Sequence, residues 1–171
     1  MRAALLTAAA GMAAVAASLT PYVTRAAPGD EAQIRALEAR FATAFNAKDI
    51  DAIMKVYVPG RSLVVFDVVP PRQYVGSDAY RKDWENFFAM FKGAVKFDIS
   101  DLAVETGGGT IAYSHSIQHF ASTDTKGQPV DATVRVTDGY RKVNGHWLIE
   151  HEHVSVPVDL DTGKPDMMSK P

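Results

Sequence analysis

The chain of 171 residues contains no cysteine. This absence excludes disulfide bonds, thiolate metal sites, a cysteine nucleophile and lipid attachment to an N-terminal cysteine. The charge is also nearly balanced, with 18 Lys and Arg against 20 Asp and Glu. A strong basic surplus is typical of nucleic-acid-binding domains, so we expect no nucleic-acid partner.

Several motifs of cofactor and hydrolase sites are also missing. The sequence has no glycine-rich phosphate loop, no dinucleotide-binding fingerprint and no Gly-x-Ser-x-Gly elbow. His-Glu-x-x-His and similar helical metal-binding spacings are absent as well. We therefore expect a protein that works without a cofactor and without a bound metal.

The first 26 residues have the pattern of a signal peptide. Arg2 is followed by an apolar, mostly alanine run over 3–19, and Thr24-Arg25-Ala26 offers the small residues that a signal peptidase reads. The run is short for a membrane-spanning helix. We expect cleavage after Ala26, a periplasmic or secreted chain and no stable membrane association afterwards. A retained N-terminal anchor and a misassigned start are the alternatives.

The next part of the chain has the periodicity of three helices. Asp30 and Gln33 form a capping box for the first helix, and Asp49 caps a shorter second one. The third begins at Ser77 and ends near Gly93, with an aromatic face that includes Trp84. These rings are typical of a core, although Trp84 is also a candidate wall of a pocket.

The remaining segments have the two-residue period of strands. One strand precedes the third helix and four follow it, at 62–69, 95–104, 110–122, 129–143 and 146–158. Asn144-Gly145 is a strong hairpin signal. Helices followed by hairpin strands predict an α+β domain over 27–158. The polar tail, 159–171, is predicted to be a surface strap or disordered.

Two stretches resemble a known superfamily. Residues 41–49, FATAFNAKD, and 137–147, TDGYRKVNGHW, are similar to nuclear transport factor 2-like proteins, and most of all to SnoaL-like proteins and ketosteroid isomerase homologues. The resemblance covers 30–158. It implies a cone-shaped fold, in which three N-terminal helices pack on a strongly bent antiparallel sheet that encloses an apolar pocket. Such a fold hosts isomerases, cyclases, dehydratases and binding modules.

Ketosteroid isomerase uses three polar groups, and the resemblance assigns two of them here. Asp67 falls on the position of the catalytic base, and Asp138 on that of a protonated aspartate that helps to stabilise an oxyanion. The third group is a tyrosine of the first helix, but this chain has Phe41 there. Tyr57, at the end of the second helix, is a candidate substitute.

The residue pattern supports both aspartates independently. Asp67 alternates with Val65 and Val69 on an otherwise apolar strand, and Asp138 alternates with Val136 and Tyr140. A buried carboxyl group must find a partner or lose its charge, which makes it a candidate for proton transfer. Alternatively, Asp138 caps the turn region or pairs with a neighbouring arginine.

Histidines are the other candidate group, and all of them lie in the second half of the chain. His151 and His153 alternate with Trp147 and Ile149, so we expect them to face the pocket mouth. Tyr113, His115 and His119 share one face of an earlier strand, and we expect them to line the pocket. The histidines could act as acid–base groups, with His151 as a catalytic candidate, as ordinary cross-strand partners, or as metal ligands together with a carboxylate.

Two functional hypotheses follow. The first is a cofactor-free isomerase or lyase that moves a proton on a small hydrophobic carbonyl compound, with Asp67, Asp138 and His151 as catalytic residues. The second is a non-catalytic periplasmic module that binds a hydrophobic ligand in the same cavity. We expect a homodimer in either case, because two-fold dimers are the commonest oligomers.

Overall fold

A computed structural model describes residues 28–169, so the predicted signal peptide lies outside the described part. Three helices precede or interrupt a six-stranded sheet. The elements are α1 (Pro28–Ala47), α2 (Ile50–Met54), β1 (Val64–Phe66), β2 (Tyr74–Val75), α3 (Ser77–Ala89), β3 (Phe91–Gly107), β4 (Ile111–Asp124), β5 (Pro129–Val143) and β6 (His146–Ser155). None of the helices in the described part is long and apolar enough to cross a membrane.

The strands form one curved, open sheet in the order β2-β1-β6-β5-β4-β3. All neighbours are antiparallel except β1 and β6, which are parallel. The predicted α+β class is confirmed, and the Asn144-Gly145 turn joins β5 to β6 with both residues at positive φ. The strand predicted over 62–69 is shorter and ends at Phe66, and the short strand β2 was not predicted.

The N-terminus of α1 differs from the prediction. The helix begins at Pro28, so Asp30 lies inside the first turn and does not cap it. Its carboxylate is buried and accepts hydrogen bonds from Lys142 Nζ at 2.5 Å and Trp147 Nε1 at 3.1 Å. These bonds, above all the one from Lys142, hold the pKa of Asp30 below its usual range. The predicted cap at Asp49 is confirmed, because its side chain accepts from the N–H of Ala52.

Aromatic rings fill the space between the helices and the sheet. Phe45 of α1 stacks on Phe97 of β3 with ring centroids 4.1 Å apart, and Trp84 of α3 stacks on Phe88. Phe41 packs edge-to-face against Trp84 at 5.9 Å. The aromatic face of α3 is therefore part of the core, as its spacing indicates. Contacts of this kind contribute about 0.5–1.5 kcal/mol each beyond simple burial.

A β-bulge changes the direction of the side chains in β6. Tyr140 pairs with Ile149 and Gly139 pairs with His151, so Glu150 is an extra residue without a partner on β5. Before the bulge, Ile149 faces the core. After it, Glu152 is the buried residue, because one inserted residue reverses the alternation.

The described part of the C-terminal tail lies along the surface. The N–H of Thr133 in β5 donates to the carbonyl of Met167, and Val158 forms an isolated bridge with Pro165. Residues 159–169 thus form a strap that is attached to the edge of the domain.

The Asp30 contacts predict a specific loss of stability. We expect Asp30→Ala to lower the free energy of unfolding by about 2–3 kcal/mol, because it leaves a half-buried Lys142 ammonium group and a buried Trp147 N–H without their acceptor. Urea unfolding measures this difference. Glu31→Ala is the matched control, since Glu31 forms an exposed ion pair with Arg35 that should contribute less than about 1 kcal/mol. Equal losses in the two variants would contradict this account.

Candidate functional site

A row of polar side chains crosses the inner face of the sheet. Ser114 of β4 pairs with Asp138 of β5, which pairs in turn with Glu152 of β6. All three are buried, and Asp138 is only 1% exposed. Asp138 shares its face with Val136 and Tyr140, as the alternation predicts, and does not lie at the turn or on the surface beside an arginine. Two carboxyl groups therefore lie side by side inside the core.

Two tyrosines hold the Glu152 carboxylate from the helical side. The Tyr57 hydroxyl donates to Glu152 Oε2 at 2.7 Å, and the Tyr80 hydroxyl donates to Oε1 at 2.5 Å. Tyr57 follows α2 and is fixed by a β-bridge to Ile149, whereas Tyr80 lies on the buried face of α3. Each oxygen of Glu152 thus has its own phenolic donor.

A third acid completes the cluster from α1. Glu38 is buried on the same helical face as Leu37 and Phe41. It accepts from the Tyr140 hydroxyl at 2.6 Å, and this hydroxyl also lies 2.7 Å from Ser114 Oγ. The buried polar cluster is therefore formed by side chains of the helical part and of the strands β4, β5 and β6.

Burial dominates the electrostatics of this cluster. It raises the pKa of Glu152 to about 7 and that of Glu38 to about 7, although the tyrosine hydrogen bonds oppose the shift. Burial also raises the pKa of Asp138 well above its usual range, and the nearby carboxylates of Glu152 and Glu38 raise it further. Near neutral pH, Glu152 exchanges between its charged and neutral forms, and the raised pKa of Asp138 favours its protonated form more than in an ordinary aspartic acid.

One carboxyl oxygen of the acid pair is available to bond a ligand. Asp138 Oδ1 is buried and has no hydrogen-bond partner among the described residues. Such groups are rare in folded proteins. An acid pair that shares protons and presents a free oxygen in an apolar surrounding can take a proton from a ligand and return it.

Asp67 lies at the edge of this cluster and not at its centre. It follows the last residue of β1, so its predicted position within a strand is wrong. The side chain is half-buried and its Oδ1 accepts from the N–H of Val68. Burial raises its pKa, and the charge of Asp83 adds to this effect. The Asp67 charge also raises the pKa of Glu152, which indicates that the two groups are near each other.

The predicted inward placement of Tyr113, His115 and His119 is wrong. Tyr113 is 51% exposed and His115 is exposed, because the inner face of β4 carries the intervening residues. These are Ala112, Ser114, Ser116, Gln118 and Phe120. His119 lies on the outer face between Asp98 at 3.3 Å and Asp131 at 3.1 Å. Hydrogen bonds to these carboxylates, first the one to Asp131, raise its pKa.

His151 and His153 also face away from the acid pair, because the bulge reverses the alternation before they are reached. His151 Nδ1 donates to the carbonyl of Val64 at 2.9 Å, and both imidazoles pack against the ring of Phe66. Among the described residues, no three His, Cys, Asp or Glu side chains are grouped as a metal site.

The cavities beside the helices lie away from the acid pair. Two cavities of about 360 and 500 Å³ occur in the described part, and both open on the outer side of the helices. The first lies beside Arg81 and the second between α1 and α2. The acid pair lines neither of them.

Five members of the cluster were not among the predicted site residues, namely Glu38, Tyr80, Ser114, Tyr140 and Glu152. Glu38 lies four residues after Ile34 and three before Phe41, so its helical spacing could have revealed it. Tyr80 was expected to face inward, but only as part of the core. Glu152 could not be found from alternation, because the bulge at Glu150 leaves no clear mark in the sequence.

The comparison with known proteins agrees with this architecture. The SnoaL-like domain family matches residues 34–159. The chain belongs to this family. Its fold is similar to that of a nuclear transport factor 2-like protein of unknown function from Pseudomonas putida, at 32% identity over 85% of this chain and 99% of that one, with a TM-score of 0.76. The predicted superfamily is thus confirmed.

More distant solved structures share the fold. A ketosteroid isomerase-like protein from Erwinia carotovora is 23% identical over 72% of this chain and 93% of that one, with a TM-score of 0.61. A nuclear transport factor 2-like superfamily protein from Salmonella enterica is 16% identical over 80% and 96%, with a TM-score of 0.69. No curated protein matches this chain.

The raised pKa values predict that stability falls as pH rises. Glu38 and Glu152 have pKa values of about 7 in the folded chain but ordinary values of 4.5 when unfolded. Between these limits the folded state binds more protons, so each group should lower the free energy of unfolding by up to about 1.4 kcal/mol per pH unit. Urea titrations from pH 4.5 to 8 measure the slope.

Two variants identify the source of this slope. Glu152→Gln should flatten it between pH 4.5 and 7, because the amide does not titrate. His119 also loses stabilising contacts as pH rises above its own raised pKa, and His119→Gln removes that part alone. Stability that is constant or rises over this range in the unmodified chain would contradict the assignment.

Proposed function

We propose that the Asp138–Glu152 pair is a cofactor-free proton-transfer site for a small hydrophobic carbonyl compound, and that the protein is an isomerase or lyase. The observation that carries this proposal is the burial of two adjacent carboxyl groups, one of which has a free oxygen. A core built only for stability would gain more from apolar residues in these positions. The ketosteroid isomerase-like relative from Erwinia carotovora supports the same reaction class.

The proposed reaction needs only the groups of the pair. Asp138 Oδ1 takes a proton from the carbon next to the carbonyl, while the proton already on Asp138 passes to Glu152. The electrons of the broken C–H bond form the C=C bond of an enolate, and the carbonyl π electrons move to its oxygen. Return of the proton to another carbon completes an isomerisation.

Tyr57 and Tyr80 lower the pKa of Glu152 but transfer no proton themselves. Tyr57 and Tyr80 stabilise the charged form of Glu152, which otherwise would stay protonated at neutral pH. Asp67 is held by the Val68 N–H at the edge of the cluster, and His151 faces the opposite side of the sheet. We assign neither of them a proton-transfer step.

A second candidate function is a binding module without turnover. The aromatic lining of the interior and the lack of a hydroxyl at Phe41 favour it, because they suit an apolar ligand. In that case a hydrophobic compound would bind beside the acid pair and leave unchanged.

The proposal also includes the cellular location of the protein and its oligomeric state. The signal-peptide pattern of 1–26 supports action in the periplasm or outside the cell after cleavage. The outer face of the sheet exposes Ile111 and Tyr113, at 66% and 51%, which supports a homodimer that pairs through this face.

The proton-transfer function is tested by deuterium exchange. In D₂O at pH 7, we expect the protein to accelerate exchange of the α-protons of cyclohexanone and cyclohex-2-enone, measured by proton NMR. Asp138→Asn should reduce this acceleration by about 10²–10⁴-fold, because it removes the group that accepts the proton. Glu152→Gln should reduce it as well.

Glu105→Gln is the matched control, because Glu105 is exposed on β3 and should keep the full rate. Full exchange in the Asp138→Asn variant would contradict the proposed site. Binding of cyclohexanone with no exchange above the buffer rate would support the binding module instead.

A further inference from the structure

The two tryptophans of the chain differ in their hydrogen bonding. Trp147 Nε1 donates to the Asp30 carboxylate at 3.1 Å. Trp84 Nε1 is also buried, but it has no acceptor among the described residues. Buried indole N–H groups normally find a partner. The Trp84 donor is therefore a feature that packing does not explain.

Aromatic rings pack around the side chain of Trp84. Its nearest aromatic neighbours include Phe45 at 5.4 Å, Tyr80 at 5.5 Å, Phe88 at 5.7 Å and Phe41 at 5.9 Å between ring centroids. A phenylalanine in position 84 could keep contacts of this kind without leaving a donor unpaired. Compared with a phenylalanine ring, the indole adds one polar group to this site, the N–H.

The helix places this donor near the acid pair. Trp84 follows Tyr80 by four residues on α3, so both side chains lie on one face, about 6 Å apart along the helix axis. The Tyr80 hydroxyl donates to Glu152, the neighbour of Asp138. The same interior thus contains one unpaired donor, Trp84 Nε1, and one unpaired carboxyl oxygen, Asp138 Oδ1.

We propose that Trp84 is a further catalytic residue whose indole N–H donates to the substrate's carbonyl oxygen while Asp138 takes the proton from the adjacent carbon. This inference rests on the proposed proton-transfer function. A carbonyl compound supplies both partners, because its oxygen accepts a hydrogen bond and its neighbouring C–H group is acidic. Negative charge develops on that oxygen in the enolate, where a fixed donor stabilises it most.

The packing around Trp84 also limits the substrate class. The aromatic rings pack closely, with centroids 5.4 to 5.9 Å from that of Trp84, so we expect the substrate to be a compact apolar ketone or enone of about one ring. A larger polar or charged ligand would have to bury more polar groups than the two unpaired atoms of this interior, Trp84 Nε1 and Asp138 Oδ1, can bond.

The test observes the two indoles directly. Protein labelled with ¹⁵N-tryptophan gives two indole N–H signals, which Trp84→Phe assigns. Cyclohexanone should shift the Trp84 signal and leave that of Trp147 unchanged, since Trp147 is already bonded to Asp30. Methylenecyclohexane is the matched probe, because it has the same shape without the oxygen, and it should not produce the hydrogen-bond shift.

Kinetics then separate catalysis from packing. We expect Trp84→Phe to lower the deuterium-exchange rate of cyclohexanone by about 10²–10³-fold, with a smaller change in KM. Thermal unfolding shows whether the variant keeps its fold. If it does not, Trp147→Phe or the nuclear Overhauser contacts of each indole N–H in the unmodified protein assign the two signals, so the indole measurement remains possible.

The outcomes distinguish this inference from the function on which it rests. If Trp84→Phe keeps the full exchange rate while Asp138→Asn loses it, the Trp84 role is wrong and the proton-transfer site stands. Equal indole shifts with both probes would likewise overturn the Trp84 role. If the unmodified protein produces no exchange, the proposed function and this inference both fail.

Discussion

The burial of Asp138 beside Glu152 is the constraint on which the interior depends. Two carboxyl groups in an apolar core repel each other when charged, and each loses hydration. The fold accommodates them because burial raises the pKa of Asp138 and because two tyrosine hydroxyls donate hydrogen bonds to Glu152. Because these hydroxyls come from the end of α2 and from α3, the positions of the helices on the sheet are coupled to the acid pair. The packing of the helices and the chemistry proposed for the acid pair therefore depend on the same hydrogen bonds.

The bulge in β6 makes this arrangement possible. Without the bulge, Glu150 would be a regular paired residue, and strict alternation from Ile149 would bring His151 to the inner face and place Glu152 outside. The core would then contain an imidazole beside Asp138 in place of a second carboxyl group. One residue in the strand thus decides between a histidine–aspartate site and an acid pair with protons to share.

The sequence allowed the architecture and part of the site to be predicted. Helical and strand periods, the Asp49 cap and the Asn144-Gly145 turn depend on local chemistry, and the structure contains them. Asp138 was found because β5 alternates without interruption. His151 and His153 were assigned to the wrong face because a bulge depends on pairing between strands, which a single sequence does not display. The inner face of β4 was misjudged because its small polar residues resemble an exposed surface.

The acid pair is tested most directly by carboxyl-detected ¹³C NMR of the protein labelled at Asp and Glu, with signals assigned through Asp138→Asn and Glu152→Gln. We expect Glu152 to titrate at about pH 7 and Asp138 to titrate well above the usual range of an aspartic acid. Titration of both groups near pH 4 would mean that water reaches them or that they do not interact, and it would contradict a proton-sharing pair in the core.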